Sequence, residues 1–263
     1  MTLNPLEVAE PATLVFLLVI AAFAGLVDAA IGGGGLIQLP GLFGALPGQA
    51  PGMILGTNKF VSCWGTASAC WRFARQVRLP WKLLSSCAVL AFIGAYVGAR
   101  LTGLIPKEAM RPIILVLMIL MWIYTWRRPG FGQNLISREL TRRDFLIGLG
   151  ASALIGFYDG IFGPGTGSFF IFGLVRFLHF EMLLASACAK VLNLATNLAA
   201  LCYFIPSVQV LYACALPMAV ANMLGAQIGS RLALEGGNQL LRRLFLGIVL
   251  ILIVKLAWDG FVH

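Results

Sequence analysis

Two lysines and two aspartates lie inside apolar stretches of the sequence. Lys59 stands in "MILGTNKFVSCWGTASACW" and Lys190 in "LASACAKVLNLATNLAALCY", while Asp28 and Asp159 each precede a glycine-rich run. Because a charged side chain is costly in hydrocarbon, such residues within membrane segments indicate a functional site by default. The ammonium groups could bind an anion. The carboxylates could balance the lysines, carry protons or cap broken helices.

A structural role is the alternative for the lysines. Each ammonium group could extend to the membrane interface, which suits Lys59 because it lies only a few residues into its segment. Each lysine could also pair with the aspartate of its own half, Asp28 for Lys59 and Asp159 for Lys190.

Hydrogen-bonding side chains follow each lysine at the same spacing. They stand 3 and 7 positions further on, as Ser62 and Thr66 after Lys59 and as Asn193 and Asn197 after Lys190. Residues at this spacing share one face of a helix. Each lysine is therefore predicted to begin a polar stripe that contacts the substrate. Asn58, directly before Lys59 in the sequence, is predicted to contact the substrate as well.

The glycine runs "DAAIGGGG" and "DGIFGPGTGS" predict breaks in two membrane helices. Each glycine costs about 1 kcal/mol in a helix interior, and a broken helix survives in hydrocarbon only when it is buried in protein or lines a cavity. The exposed N–H groups and the helix N-terminus that follows would favour an anion. The predicted donors are Gly33, Gly34, Gly35, Gly165, Thr166 and Gly167. The alternative is close helix packing through small residues.

The elements that must position these residues are membrane helices. Of 263 residues, 60% are hydrophobic and 11% are charged, against about 25% charged in a soluble domain. Apolar runs of about 20 residues match the length of a membrane-spanning helix. The sequence predicts an all-α integral membrane protein. The net charge of +9 falls mostly between the apolar runs, so it indicates topology and anionic lipid, not nucleic acid. No metal or cofactor motif is expected.

The sequence repeats itself at an offset of 131 residues. Asp28 then coincides with Asp159, Lys59 with Lys190, and "GAYVGARL" with "GAQIGSRL". Internal repeats of this kind are common in secondary transporters. We expect an N-terminal repeat over residues 1–127, a basic linker over 128–143 and a C-terminal repeat over 144–263.

Charges between the apolar runs predict that the second repeat is inverted. Arg72, Arg75, Arg78 and Lys82 follow the third segment, whereas residues 203–212, at the equivalent place, carry no charge. Basic loops lie in the cytoplasm, and so should the linker and a predicted loop with Arg231, Arg242 and Arg243. Five crossings per half satisfy this pattern, although a loop with Arg100, Lys107 and Arg111 does not fit.

The predicted segments number eight to ten. They are 12–31, 36–47, 53–71, 83–104, 110–126, 144–162, 168–180, 185–205, 208–232 and 244–261. Segments 36–47 and 168–180 are too short to cross upright, so the alternative is four crossings per half with these two re-entrant. Short segments interrupted by glycine at matching positions of two repeats indicate a transporter's binding site.

Several stretches resemble the TauE/SafE family of membrane transporters, the sulfite and organosulfonate exporters. They are "GGGGLIQLP", "LGTNKF", "GFYDGIFGPGTGSF", "AKVLNLATN" and "ANMLGAQIGSRLA", and the resemblance covers both halves. It implies a permease of the plasma membrane that moves small, typically sulfur-containing anions. The family's motif positions fall here on residues 32–35, Asn58, Lys59, Asp159, residues 163–167, Lys190, Asn193 and Asn197.

We therefore expect a secondary transporter, not an enzyme, that exports sulfite or an organosulfonate by alternating access. Its partners would be the small anion and the lipid bilayer, in the inner membrane if the source is bacterial, with the linker 128–143 in the cytoplasm. No cofactor is expected. Proton coupling through Asp28 or Asp159 and a homo-oligomeric assembly stay open. The alternatives are an anion channel with the same residues and an intramembrane aspartyl protease, which needs two carboxylates sharing a proton.

Overall fold

A computed structural model describes residues 10–46, 48–102, 115–116, 119–120, 122–127, 141–207 and 210–261. These residues are almost entirely helical, which confirms the all-α prediction. The helices are α1 Pro11–Ile31, α2 Gly35–Ala45, α3 Pro51–Gln76, α4 Trp81–Leu101, α5 Arg142–Ile161, α6 Thr166–Leu178, α7 Met182–Ser207 and α8 Tyr212–Phe261. Residues 122–127 are also helical. Most of the predicted linker, residues 128–140, lies outside the described residues.

Local sequence signals explain where the helices begin and end. Helices α1 and α3 begin at Pro11 and Pro51, because proline at the first helical position loses no intrahelical hydrogen bond. Helix α5 begins after Thr141, whose hydroxyl and the Asp144 carboxylate bond each other's backbone N–H groups. Helix α1 ends at Ile31, and the next residue, Gly32, has a left-handed backbone with φ of 81°, a conformation that glycine adopts without strain.

Four helices are long and apolar enough to cross a membrane, counted over the part of the chain that the structure describes. They are α1, α4, α5 and α7. Helices α2 and α6, of 11 and 13 residues, are too short to cross upright. Large apolar side chains are exposed along the long helices, for example Phe16 and Phe23 on α1 and Leu146 and Leu154 on α5. Such a surface suits contact with lipid.

Helices of the two halves begin at equivalent positions. The first residues of α1 and α5, α2 and α6, α3 and α7, and α4 and α8 each differ by the 131 residues seen in the sequence. The packing between the halves is reciprocal as well. Helix α1 of the first half packs on α8 of the second, and α5 of the second half packs on α4 of the first. The inversion of the second repeat across the membrane stays a prediction.

Glycines bring these cross-half helix pairs into backbone contact. Gly225 and Gly229 of α8 lie against the Ala22 and Leu26 carbonyls of α1, with no room for a Cβ atom. Their equivalents on α4, Gly94 and Gly98, lie in the same way against Ala153 and Phe157 of α5. The "GAYVGARL" and "GAQIGSRL" repeats are therefore helix-packing motifs, as the small-residue alternative predicts for glycines of this spacing.

The C-terminal part of the chain differs from the sequence prediction. Segments 208–232 and 244–261, with a predicted loop around Arg231, Arg242 and Arg243 between them, are one continuous helix, α8, of 50 residues. Residues 233–243 contain no proline and are mostly good helix formers, so only two glycines oppose the helix, at about 1 kcal/mol each. Trp122 Nε1 donates to Leu246 O at 2.8 Å, which places this part of α8 beside residues 122–127.

Candidate functional site

The candidate site lies where the broken helices of the two halves meet. Asp28 and Asp159 stand in the last turn of α1 and α5, directly before the glycine breaks that precede α2 and α6. Lys59 and Lys190 stand at the ninth positions of α3 and α7. The tertiary structure brings all four charged side chains into two ion pairs.

The first ion pair joins Lys59 to Asp159. Lys59 Nζ lies 2.6 Å from Asp159 Oδ2, and the two side chains are 5% and 1% exposed. The second carboxylate oxygen, Asp159 Oδ1, lies 2.7 Å from the Thr166 hydroxyl. Lys59 Nζ also donates to Asn197 Oδ1 at 3.3 Å. Both charged groups therefore have hydrogen-bond partners beyond each other, which a buried pair needs in order to offset its desolvation.

The second ion pair joins Lys190 to Asp28. Lys190 Nζ lies 3.2 Å from Asp28 Oδ2, and it also donates to the backbone carbonyl of Asp28. The Lys190 side chain is fully buried, whereas the Asp28 side chain is 18% exposed. This pair is therefore longer than the first and more open on the carboxylate side.

Each lysine pairs with the aspartate of the other half. The paired residues are separated by 100 positions in the first pair and by 162 in the second. The prediction that a lysine would pair with the aspartate of its own half is wrong, because Lys59 of α3 bonds Asp159 at the end of α5 and Lys190 of α7 bonds Asp28 at the end of α1. Extension of the ammonium groups to an interface is also wrong, because both lysines are buried in the protein. Each aspartate is the counter-charge of a lysine from the opposite half.

The two glycine breaks contact each other. Gly32, Gly163 and Gly165 have left-handed backbones, and a Cβ at Gly163 would lie 3.3 Å from Lys59 Nζ. The Ser168 N–H at the start of α6 donates to Gly32 O at 3.1 Å. One N–H group near the second break thus bonds the first break. Both breaks are thus largely buried in protein, and burial of this kind is what allows a broken helix to exist within a membrane.

The predicted glycine donors occupy this contact. Gly33, Gly34, Gly165, Thr166 and Gly167 are buried, and Gly35 is half-buried. A Cβ at Gly34 would lie 2.6 Å from Asp28 Cβ, and a Cβ at Gly167 would lie 2.5 Å from Gly32 Cα. The absence of side chains at Gly34 and Gly167 therefore serves the close approach of the breaks to Asp28 and to one another.

The predicted polar stripes come together only in part. Asn197 Nδ2 lies 3.5 Å from Thr66 Oγ1, so the two stripes meet beside Lys59. Asn193 is buried and its backbone and side-chain oxygens lie near the Thr196 hydroxyl, whereas Ser62 is half-buried.

Asn58 turns away from the lysine stripe. Its Oδ1 accepts a hydrogen bond from Gln38 Nε2 at 2.9 Å, because residues 58 and 59 point to different faces of α3. The substrate-binding role predicted for Asn58 is thus not supported by its position.

Gln38, Asn222 and Ser186 are among the buried polar residues that the sequence analysis did not single out. Gln38 joins Asn58 of α3 to Asn222 of α8, whose Nδ2 donates to Gln38 Oε1 at 2.9 Å and to Ala21 O at 2.9 Å. Ser186 is buried on α7, one turn before Lys190. A search for single amide or hydroxyl side chains within apolar segments would have found all three.

Groups that could hold a metal are absent from the described ranges, where no three His, Cys, Asp or Glu residues cluster. Each of the two buried lysine ammonium groups forms an ion pair with an aspartate carboxylate from the opposite half of the chain.

The fold and the site define a multi-pass helical membrane protein with buried charges at paired helix breaks. The chain belongs to the sulfite exporter TauE/SafE family, whose sequence profile matches residues 17–256, and it is accordingly a membrane transporter. This confirms the family resemblance found in the sequence.

The relatives that the chain matches are named as transporters. A probable membrane transporter protein of Sinorhizobium sp., ORF9, is 35% identical over 94% of this chain and 93% of its own length. The probable membrane transporter protein YfcA of Escherichia coli K12 is 34% identical over 98% of this chain and 95% of its own length. A probable membrane transporter protein of Haemophilus influenzae is 32% identical over 95% and 97%. No solved structure matches the chain.

Proposed function

We propose that this protein is a secondary transporter that exports a small anion, with sulfite or an organosulfonate as its substrate. The observation that carries the proposal is the pair of buried lysines, each neutralised by a carboxylate of the opposite half next to a broken helix. A carboxylate is itself a small oxyanion, so a position that binds Asp28 or Asp159 has the charge and the hydrogen-bond donors that a sulfite or sulfonate group needs. The family's description as sulfite exporters supports this substrate class.

The way the ion pairs connect the two halves supports alternating access. Both ion pairs run between the two repeats, so replacing a carboxylate by a free anion removes a bond between the halves. An anion that binds only when such a bond opens is linked to the relative movement of the repeats, as in other transporters built from repeats. Protonation of Asp28 or Asp159 would release its lysine in the same way, which is the physical basis for proton coupling.

The proposed function also implies where the protein is located and which partners it has. The protein would lie in the plasma membrane, with its basic linker 128–143 in the cytoplasm, and its partners would be the transported anion and the lipids. The protein is proposed not to be an enzyme. An aspartyl protease requires two carboxylates that share a proton, whereas here each carboxylate bonds a lysine.

Flux of sulfite into proteoliposomes tests the proposal. Wild type should accumulate or exchange sulfite, whereas Lys59→Ala and Lys190→Ala should not, although both remain folded. Lys82→Ala is the matched control, because Lys82 is an exposed lysine on α4. Sulfate, sulfoacetate and acetate serve as competitors. Sulfite movement that is equal in all four proteins would show that the buried lysines have only a structural role.

Counterflow separates the carrier from the anion channel that shares its residues. A carrier preloaded with unlabelled substrate should transiently concentrate labelled substrate, because one site is alternately open to each side. A channel would only equilibrate the label. An imposed pH gradient tests proton coupling in the same vesicles, and rates that do not respond to it would exclude coupling through either aspartate.

A further inference from the structure

The two ion pairs differ in how firmly each carboxylate is held. Asp159 bonds Lys59 through one oxygen and Thr166 through the other. The hydroxyl of Thr166 also lies 2.8 Å from Gly163 O, and Tyr158 OH donates to Pro164 O at 2.7 Å. Thr166 thereby fixes the second break to Asp159, and Tyr158 fixes the same break to the last turn of α5.

Asp28 lacks an equivalent of the Thr166 hydroxyl, which we call the clamp. The residue equivalent to Thr166 in the first half is Gly35, which has no side chain to bond the carboxylate. Within the described part of the chain, the only side chain that bonds Asp28 is Lys190. Val27 replaces Tyr158, so the first break has no equivalent phenol. The Asp28 side chain is 18% exposed. Its carboxylate also makes fewer hydrogen bonds to side chains than that of Asp159, so fewer bonds must break when it is displaced.

Lys190 also has a donor beside it that Lys59 does not have. Ser186 is four residues before Lys190 on α7, and side chains at this spacing are neighbours on one helix face. Ser186 is 1% exposed, and its hydroxyl has no hydrogen-bond partner among the described residues. A buried polar group without a partner destabilises a protein. Leu55 stands at the equivalent position before Lys59, so the unpartnered hydroxyl is particular to the Lys190 pair.

We propose that the two halves of the site have different tasks, an inference that rests on the proposed function. The Lys190–Asp28 pair is the exchangeable half, where a small oxyanion takes the place of the Asp28 carboxylate on Lys190 and accepts a hydrogen bond from Ser186. The Lys59–Asp159 pair, with Thr166 and Asn197, stays closed and holds the halves together during exchange. One molecule of protein then binds one anion.

Anion binding by the purified full-length protein tests the role of Ser186. Sulfite and sulfoacetate are titrated in detergent by calorimetry. Ser186→Ala should raise the Kd for the bound anion by about tenfold, the loss expected for one hydrogen bond to a charged group, without lowering Tm. Ser152→Ala, a buried serine of α5, is the matched control and should leave the Kd unchanged. An unchanged Kd in Ser186→Ala, or a stoichiometry of two anions, would overturn the inference.

Carbodiimide labelling of the wild-type carboxylates is a second test that needs no variant and is made first without and then with the anion. Mass spectrometry should find Asp28 labelled faster than Asp159, and an anion that displaces Asp28 should accelerate its labelling further. If neither sulfite nor sulfoacetate binds, the proposed substrate fails and the labelling decides the inference by itself. Faster labelling of Asp28 would then support it, whereas equal labelling, or faster labelling of Asp159, would overturn it.

Discussion

The Lys59–Asp159 and Lys190–Asp28 pairs are related by the 131-residue offset between the two halves of the chain, yet only Asp159 is almost fully buried, whereas the Asp28 side chain is 18% exposed. The differences lie in a few neighbours, Thr166 against Gly35, Tyr158 against Val27, and Leu55 against Ser186. None of these changes alters a charge. The two halves therefore keep the same kind of ion pair but hold its carboxylate differently, because the neighbouring side chains decide how many hydrogen bonds each carboxylate makes.

The largest effect is expected from removing one carboxylate of the closed pair. Asp159→Asn leaves the Lys59 ammonium buried without a counter-charge, which costs about 3–5 kcal/mol in a buried pair. Asp28→Asn should cost less, because Asp28 is partly exposed. The measurement is Tm in detergent for both variants. The double variant Lys59→Met with Asp159→Asn should recover part of the loss, and an equal loss in the two single variants would remove the difference between the pairs.

The glycine contacts between the halves should show no such difference. Gly229→Ala and its equivalent Gly98→Ala each place a Cβ atom against a backbone carbonyl, of Leu26 and of Phe157. Overpacking of this kind costs about 1–3 kcal/mol, and thermal unfolding should give similar losses for both. Gly150→Ala is the control, because no atom lies within 4 Å of a Cβ there. A large loss of stability in only one of the two helix pairs, α1 with α8 or α4 with α5, would show that the difference between the halves lies in helix packing and not in the ion pairs.

Removing the clamp should loosen the closed pair by a smaller amount. Thr166→Ala deletes the hydroxyl that lies 2.7 Å from Asp159 Oδ1, a loss of about 1.5 kcal/mol for a hydrogen bond to a charged group. Tm should fall accordingly, and carbodiimide should now label Asp159 faster than in wild type. Labelling of Asp159 that stays as slow as before would show that Thr166 does not hold the carboxylate.

The smallest effect is expected from adding a clamp to the open pair. Gly35→Ser supplies a hydroxyl at the position equivalent to Thr166, and its Cβ would make an ordinary contact 3.4 Å from Pro164 Cα. The hydroxyl should stabilise the Asp28 carboxylate and slow anion flux by up to about tenfold, a change of about 1.4 kcal/mol. Slower labelling of Asp28 with unchanged flux would show that the added hydroxyl stabilises the Lys190–Asp28 pair but that opening of this pair does not limit the rate of transport.

Much of the site could be recognised from the sequence because its residues are unusual for a membrane segment. Lys59, Lys190, Asp28 and Asp159 stand out by their charge, and the breaks stand out by their glycines, since both are costly in hydrocarbon. The all-helical membrane fold follows from the apolar runs. The long helix α8 was missed because two separate segments and one continuous helix have nearly the same local pattern when no proline lies between them.

The sequence by itself determined which residues carry charge, where the helices break and which positions of the two halves correspond. Only the tertiary structure decided that each lysine pairs with the aspartate of the other half, that the breaks contact each other, and that Asn58 bonds Gln38 instead of lining the lysine stripe. Helical periodicity fixes the face on which a residue lies. The partner of that face depends on how helices distant in sequence pack, and here the glycine contacts of α1 with α8 and of α4 with α5 bring the two halves together.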